Sequence, residues 1–192
     1  MSYDPTGEII LPFNRVGIVS NWIHERIDKE LAKHKNVNDV EKTYAHSNVW
    51  NSFVGFTCAT RADALGKAIF GKDWEVDDID ANAFRHCVWN IILTQELGVK
   101  VADIIATNHE AGQIGTIWND NAKMDLHNNQ VGRLIGESYT IFDVSRFVDS
   151  SNYTAFLQKY PQLKAFMLVD IYPAYLAMQA LENHQLQVNK LR

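Results

Sequence analysis

The chain has 192 residues, 46% of them hydrophobic and 21% charged, and 18 Lys and Arg against 23 Asp and Glu leave a formal net charge of −5. That length suits one domain with a proper core, while ten glycines and four prolines exclude a collagenous or low-complexity chain and the apolar fraction excludes wholesale disorder. The acidic balance does not favour generic binding to nucleic acid, which depends on Lys and Arg neutralising phosphates.

Two cysteines, Cys58 and Cys87, cannot build a disulfide framework, and the reducing cytosol is the expected place of synthesis. Met1 to Pro12 carry Asp4 and Glu8 and no basic run ahead of their short apolar stretch. This does not fit a signal peptide, so export would use a dedicated secretion machine. Leu163 to Leu181 is the most apolar region, but Lys164, Asp170 and Pro173 interrupt it. It falls short of the roughly 20 apolar residues of a membrane span and reads as a core helix with a kink or break.

Hydrophobic periodicity points to helices almost throughout. Trp22, Ile23, Ile27 and Leu31 recur at helical spacing between Val19 and His34, opposite a charged face. Lys35 to Asp39 is a polar connection, and Tyr44 to Phe70 holds one or two helices ending at Gly71. Asp77, Asp78 and Asp80 suit a helix N-terminus through capping and the dipole, so a helix is expected from about Ala81 to Leu97, with Gly98 as its terminator. Phe84, Cys87, Val88, Ile91 and Ile92 form its apolar stripe; Asn82, Arg85, His86 and Trp89 share another face at spacings of three and four. Val99 to Ala111 reads as the next helix, ending in His109-Glu110, and Gln113 to Lys123 as a loop. From Met124 the helical stripe carries Asp125, Asn128, Asn129, Gly132 and Gly136 where Leu or Val would be ordinary. Amides and a carboxylate followed by glycines admit a close backbone or ligand. Ser151 to Leu191 is a last helical region with breaks expected at Pro161 and Pro173. With no repeat or linker dividing the chain, the expected architecture is mainly α: a single compact multi-helix domain over 1–192, its motif-bearing core at about 80–136, with a polar pocket shared by three central helices.

Three polar islands thus sit in apolar helices. His86 and His109 are the natural acid/base candidates, since an unperturbed imidazole titrates near neutrality, and Asp125 or Glu110 would orient and charge-stabilise one of them. Asn82, Arg85, Trp89, Asn128, Asn129 and Arg133 are the substrate-binding candidates, the arginine and amides being suited to an oxygen on which charge develops. A divalent metal is the other chemical reading, with His86, His109, Glu110, Asp125 and His127 offering nitrogen and oxygen ligands, although no His-Glu-x-x-His, Cys-x-x-Cys or calcium loop occurs. The structural alternatives are a polar helix end at His109-Glu110, an ion pair for Arg85 with Asp80 or Asp125, a surface position for His127 and core packing for Cys87. His24, His34, His46 and His184 read as solvated, and Trp22, Trp50, Trp74 and Trp118 as core or loop packing.

The ordered series Asn82-x-x-Arg85-His86-x-x-Trp89, His109-Glu110 and Met124-Asp125-x-x-Asn128-Asn129-x-x-Gly132-Arg133 resembles a family of bacterial domains of poorly defined function found at the ends of polymorphic toxins and injection-system cargo. The resemblance covers about Asp80 to Gly136. It implies a toxin or effector context, with a cognate immunity protein and a secretion apparatus as partners. Joined to the polar islands, it favours an antibacterial hydrolase acting on a cell-envelope lipid or other ester or phosphodiester, ahead of a nuclease. The absence of a Gly-x-Ser-x-Gly elbow argues against the serine lipase mechanism. A non-enzymatic membrane-perturbing or partner-binding effector module, its polar islands forming a structural network, is the alternative from another class.

Overall fold

A computed structural model describes residues 13–33, 37–72, 80–112 and 120–188. Among the described residues the chain is helical and without strands: α1 (Phe13–Leu31), α2 (Asp39–Ser47), α3 (Val49–Phe70), α4 (Asp80–Leu97), α5 (Val99–Ala111), α6 (Asp120–Ser138), α7 (Ile141–Val148), α8 (Ser151–Lys159), a 3-10 turn (Pro161–Ala165) and α9 (Leu168–Glu182). They form a single helical domain around α4, which packs against α3, α5, α6 and α9.

From Ala81 to Thr94 every residue of α4 except Arg85 is buried, the mark of a central helix with no solvent face. Phe84, Ile91, Ile92 and Leu93 are the bulk of its apolar payload, each stabilising the fold by about 2 kcal/mol on burial. The helix stops at Gly98, whose φ of 80° suits glycine and strains other residues, and α5 begins at the next position. Its inclusion in the core means that any polar side chain on α4 must find a partner inside the protein. That constraint creates the site.

Helices α4 and α6 approach closely. A Cβ on Gly132 would overlap the Cys87 carbonyl oxygen and lie 2.8 Å from Asn90 Cβ; one on Gly136 would lie 2.9 Å from the Ile91 carbonyl oxygen and 2.8 Å from Thr94 Cβ. The glycines of the α6 stripe thus admit the α4 backbone, and the polar residues one and two turns earlier on α6 are carried directly against the polar face of α4.

Several expectations change. The helix expected from Met124 starts at Asp120, inside the stretch expected to be a loop. Pro173 does not break α9: it sits within it, and the carbonyl its missing N–H would have served belongs to half-exposed Val169, within reach of water. Pro161, in contrast, opens the 3-10 turn between α8 and α9. The last helix ends at Glu182, followed by His184 in the left-handed region. Ile27 and Leu31 are core residues as their spacing suggested, but Trp22 and Trp50 are exposed; Trp74, Trp118, His34 and Asp77 to Ile79 lie outside the described residues. Both cysteines are free and buried. No helix among the described residues is long and apolar enough to cross a membrane.

Candidate functional site

Asn82, Arg85, His86 and Trp89 occupy one face of α4 at helical spacing, and all but Arg85 are buried. His109 and Glu110 end α5, while Asp125, Asn128 and Asn129 line the α6 face that meets α4. The three helices bring His86, Glu110 and Asp125 together. His86 Nε2 lies 3.4 Å from Asp125 Oδ1, and His86 Nδ1 lies 3.4 Å from Glu110 Oε1. All three residues are buried, Glu110 completely.

A web of amides fixes the trio. Asn129 Nδ2 donates to Glu110 Oε1 at 3.0 Å, and Asn90 Nδ2 donates to Asn129 Oδ1 at 2.7 Å. A carboxylate accepts only, so this pair sets the orientation of the Asn129 amide and leaves its oxygen facing His86 Nδ1 at 3.1 Å. The imidazole therefore carries its proton on Nδ1 and turns the lone pair of Nε2 toward Asp125. Asn82 Nδ2 donates to Asp125 Oδ1 at 2.9 Å, and Arg85 donates to Asn82 Oδ1 at 2.5 Å.

The electrostatics divide the two histidines. Burial holds the His86 imidazole well below the usual 6.5, with the charges of Arg85 and His109 acting in the same sense against the hydrogen bond it makes to Asn129. Burial also raises Glu110, a shift that His109, Asn129 and Arg85 oppose. For His109 burial again pulls downward, but the hydrogen bond and charge of Glu41, with the charge of Glu110, outweigh it and raise the imidazole. One histidine is kept neutral and the other favours its proton. They are adjacent, with ring centroids 6.2 Å apart, and the Trp89 indole meets both edge-on, at 6.5 Å from His86 and 5.3 Å from His109.

Glu41 and Asn38 belong to this site and escaped the sequence reading. Glu41 Oε1 faces His109 Nδ1 at 2.9 Å, and Glu41 Oε2 accepts from the Asn38 backbone N–H at 2.9 Å as one half of the capping box of α2. The Asn38 side chain donates to the carbonyls of Asn108 and His109 at 2.8 and 3.0 Å, satisfying the last turn of α5. Asn38-x-x-Glu41 is a helix-start signal; nothing in it announces a partner 68 residues away. Asn38 falls within the expected polar connection Lys35 to Asp39, and Glu41 lies just beyond it.

The remaining candidates stand around the trio. Arg133 donates to Asn90 Oδ1 at 3.1 Å and pairs with Asp103 at 2.9 Å. Asn128 exchanges two hydrogen bonds with the Gln187 backbone, at 3.0 and 2.8 Å, and half-buried His127 meets the Gln185 carbonyl at 2.9 Å, so both hold the chain beyond α9 against α6. Burial pushes both thiols up, Cys58 to about 12, which leaves neither as a nucleophile.

His86, Glu110 and Asp125 each offer a ligand atom, and these atoms lie within 4.8 Å of one another. The donor set fits a divalent cation: a neutral imidazole and two carboxylates suit zinc, manganese or iron. A nitrogen lone pair facing a carboxylate oxygen at 3.4 Å repels it unless a proton or a cation lies between them.

A family model matches residues 42–159, more than half of the chain. The chain belongs to the domain family of unknown function DUF6973. The DUF6973 match contains α4, α5 and α6 whole, and with them every site residue except Asn38 and Glu41. No curated protein and no solved structure matches the chain.

Proposed function

We propose that this chain is a hydrolase of the bacterial toxin or effector type, acting on a cell-envelope lipid or a related ester or phosphodiester at a divalent metal centre formed by His86, Glu110 and Asp125. The observation that carries the reading is the convergence of these three buried groups from three different helices, with His86 Nε2 3.4 Å from Asp125 Oδ1. A cation held there supplies Lewis-acid polarisation of the scissile group and a lowered pKa for the attacking water. Three protein ligands leave positions for water and substrate.

The protein's own residues divide the remaining work. Asn129 holds His86 in the tautomer that frees Nε2, and Asn82 steadies Asp125, the outer-shell role that sets ligand orientation. His109, raised by Glu41 while His86 is lowered, is the group able to give a proton to the leaving oxygen; opposed shifts in neighbouring groups are the usual sign of divided acid and base roles. Arg85 sets its positive charge beside both histidines and Glu110. Synthesis in the cytoplasm, delivery by a specialised secretion apparatus and neutralisation by a cognate immunity protein complete the effector reading.

A second reading, a non-enzymatic effector module, draws on the completeness of the amide web: Asn82, Asn90 and Asn129 are each paired at both ends, as in a network that only specifies helix packing. Inducible expression in the bacterial cytosol or periplasm separates the two. Killing confined to one compartment and abolished by His86→Ala, His109→Ala and Asp125→Ala in folded protein is the expected result. No killing, or killing unchanged in all three, refutes the hydrolase.

A further inference from the structure

Away from the buried trio, two histidines face each other across the contact between α1 and α2. His24 and His46, which read from the sequence as solvated, do meet solvent: His24 is exposed and His46 half-buried. Their Nδ1 atoms nevertheless lie 3.0 Å apart, and the rings meet nearly end to end, with centroids 5.2 Å apart. On its other side His46 Nε2 lies 3.1 Å from Asp28 Oδ1, and Asp28 stands one helical turn after His24 on α1. A carboxylate accepts only, so the neutral His46 ring carries its proton on Nε2 and presents a lone pair at Nδ1. A carboxylate that holds one ring nitrogen while the other is offered outward is the arrangement found behind metal-binding histidines, where it fixes the tautomer and makes the ligand more basic. In the metal-free pair His24 Nδ1 donates to that lone pair. The other neutral tautomer of His24 offers a second lone pair at the same place.

The geometry points to His24 Nδ1 and His46 Nδ1 as paired ligands for a divalent late transition metal, oriented by Asp28 through His46, that fastens α1 to α2. Two imidazole nitrogens 3.0 Å apart, each about 2.0–2.1 Å from a shared ion, subtend an angle of about 95° there. That is close to the cis angle of tetragonal copper(II) or nickel(II), cations that take imidazole readily. Tetrahedral zinc would spread the nitrogens to about 3.3 Å. A turn of each accessible ring about its χ2 bond, whose wells are broad, aims both lone pairs at one ion, and water completes the coordination on the open side. The ion bears on the attachment of α1, because Ile27 and Leu31 pack with Ala45 of α2 in a cluster apart from the main core around α4. An ion bridging His24 and His46 binds only while α1 is docked on α2, and so suppresses its opening in proportion to the free metal. The site is independent of His86, Glu110 and Asp125, which offer a single imidazole between them.

The test uses the untagged 192-residue chain, stripped of metal and titrated with copper(II). Pulsed electron paramagnetic resonance counts the imidazoles on the bound ion, and two are expected in wild type. His24→Ala and His46→Ala, each shown to be folded by circular dichroism, should lose the two-imidazole signature and bind at least tenfold more weakly. Asp28→Ala should keep both imidazoles and weaken binding about tenfold or more, the loss expected when a carboxylate behind a ligating histidine is removed. At a free copper concentration ten times Kd, amide hydrogen exchange in α1, followed by mass spectrometry, should slow about tenfold in wild type and stay unchanged in His24→Ala. A one-imidazole signal in wild type that persists in His24→Ala places the ion elsewhere and overturns the site. Equal affinity in wild type and both histidine variants overturns it as well. Affinity unchanged in Asp28→Ala overturns the orienting role of that carboxylate, and α1 exchange indifferent to copper overturns the fastening of the helix.

Discussion

Gly132→Ala tests the contact on which the site depends, because two effects pull it in opposite directions. In an ordinary helix interior the change stabilises by about 1 kcal/mol, alanine being the better helix former. At Gly132 the added methyl meets the Cys87 carbonyl oxygen and Asn90 Cβ. Neither is the free end of a flexible side chain, so α6 must move away from α4. Overpacking of this kind costs about 1–3 kcal/mol; overlap with a backbone carbonyl oxygen stands in the upper half of that range, so the clash should win. A net loss of about 1–2 kcal/mol lowers Tm by roughly 2–8 °C in a domain of this size. The same displacement draws Asn129 and Asp125 from His86, so metal uptake should weaken with Tm. Thermal melting by circular dichroism reads the first effect and calorimetric titration the second. An unchanged or raised Tm would refute the close approach of the two helices.

Further outcomes follow from the partners of individual charges. Glu41→Gln keeps the capping box but removes the charge that raises His109, so the His109 titration followed by NMR should move down; an unmoved titration contradicts the pairing. A raised folded-state imidazole stabilises the protein below its unfolded value of about 6.5 and loses that contribution as pH rises through the folded value. The fall of Tm on the alkaline side of about 6.5 should therefore be shallower in Glu41→Gln than in wild type. Asp170→Ala removes the buried partner of Arg61, at 2.7 Å, and leaves that guanidinium only the more exposed Glu96. A cost of about 2–4 kcal/mol is expected from chemical denaturation, and a change below about 0.5 kcal/mol would show the pair to be dispensable.

What could be read from the sequence, and what could not, divides along the reach of each signal. The bounds of α5 were readable because glycine stands at each end, and the apolar stripe of α4 from its helical spacing, whereas the burial of its polar face as well comes from packing on four other helices. The three polar islands were readable as a group because each interrupts an apolar helix at helical spacing. The start of α6 was missed because Asn and Asp favour loops and helix starts alike, and Asp120 to Met124 contains both types. Pro173 was expected to break its helix, yet the packing of α9 on α4 holds the segment helical through it. Trp22 shares the helical spacing of Ile27 and Leu31, and Trp50 reads as core or loop packing by residue type, yet both are exposed, since neither signal decides the burial of a single apolar side chain. Glu41 could not be found at all, since its role arises only when α2 docks on the end of α5.

The central claim is that His86, Glu110 and Asp125 bind a divalent cation, and calorimetric titration of zinc or manganese into the chelator-stripped 192-residue chain tests it most directly. Saturable uptake of a single ion by wild type is expected, with a raised Tm because the ion binds only the folded state. Asp125→Asn and Glu110→Gln, each shown to be folded, should bind at least tenfold more weakly. No saturable uptake by wild type, or uptake of equal affinity by both variants, would contradict the claim and leave the trio a structural network.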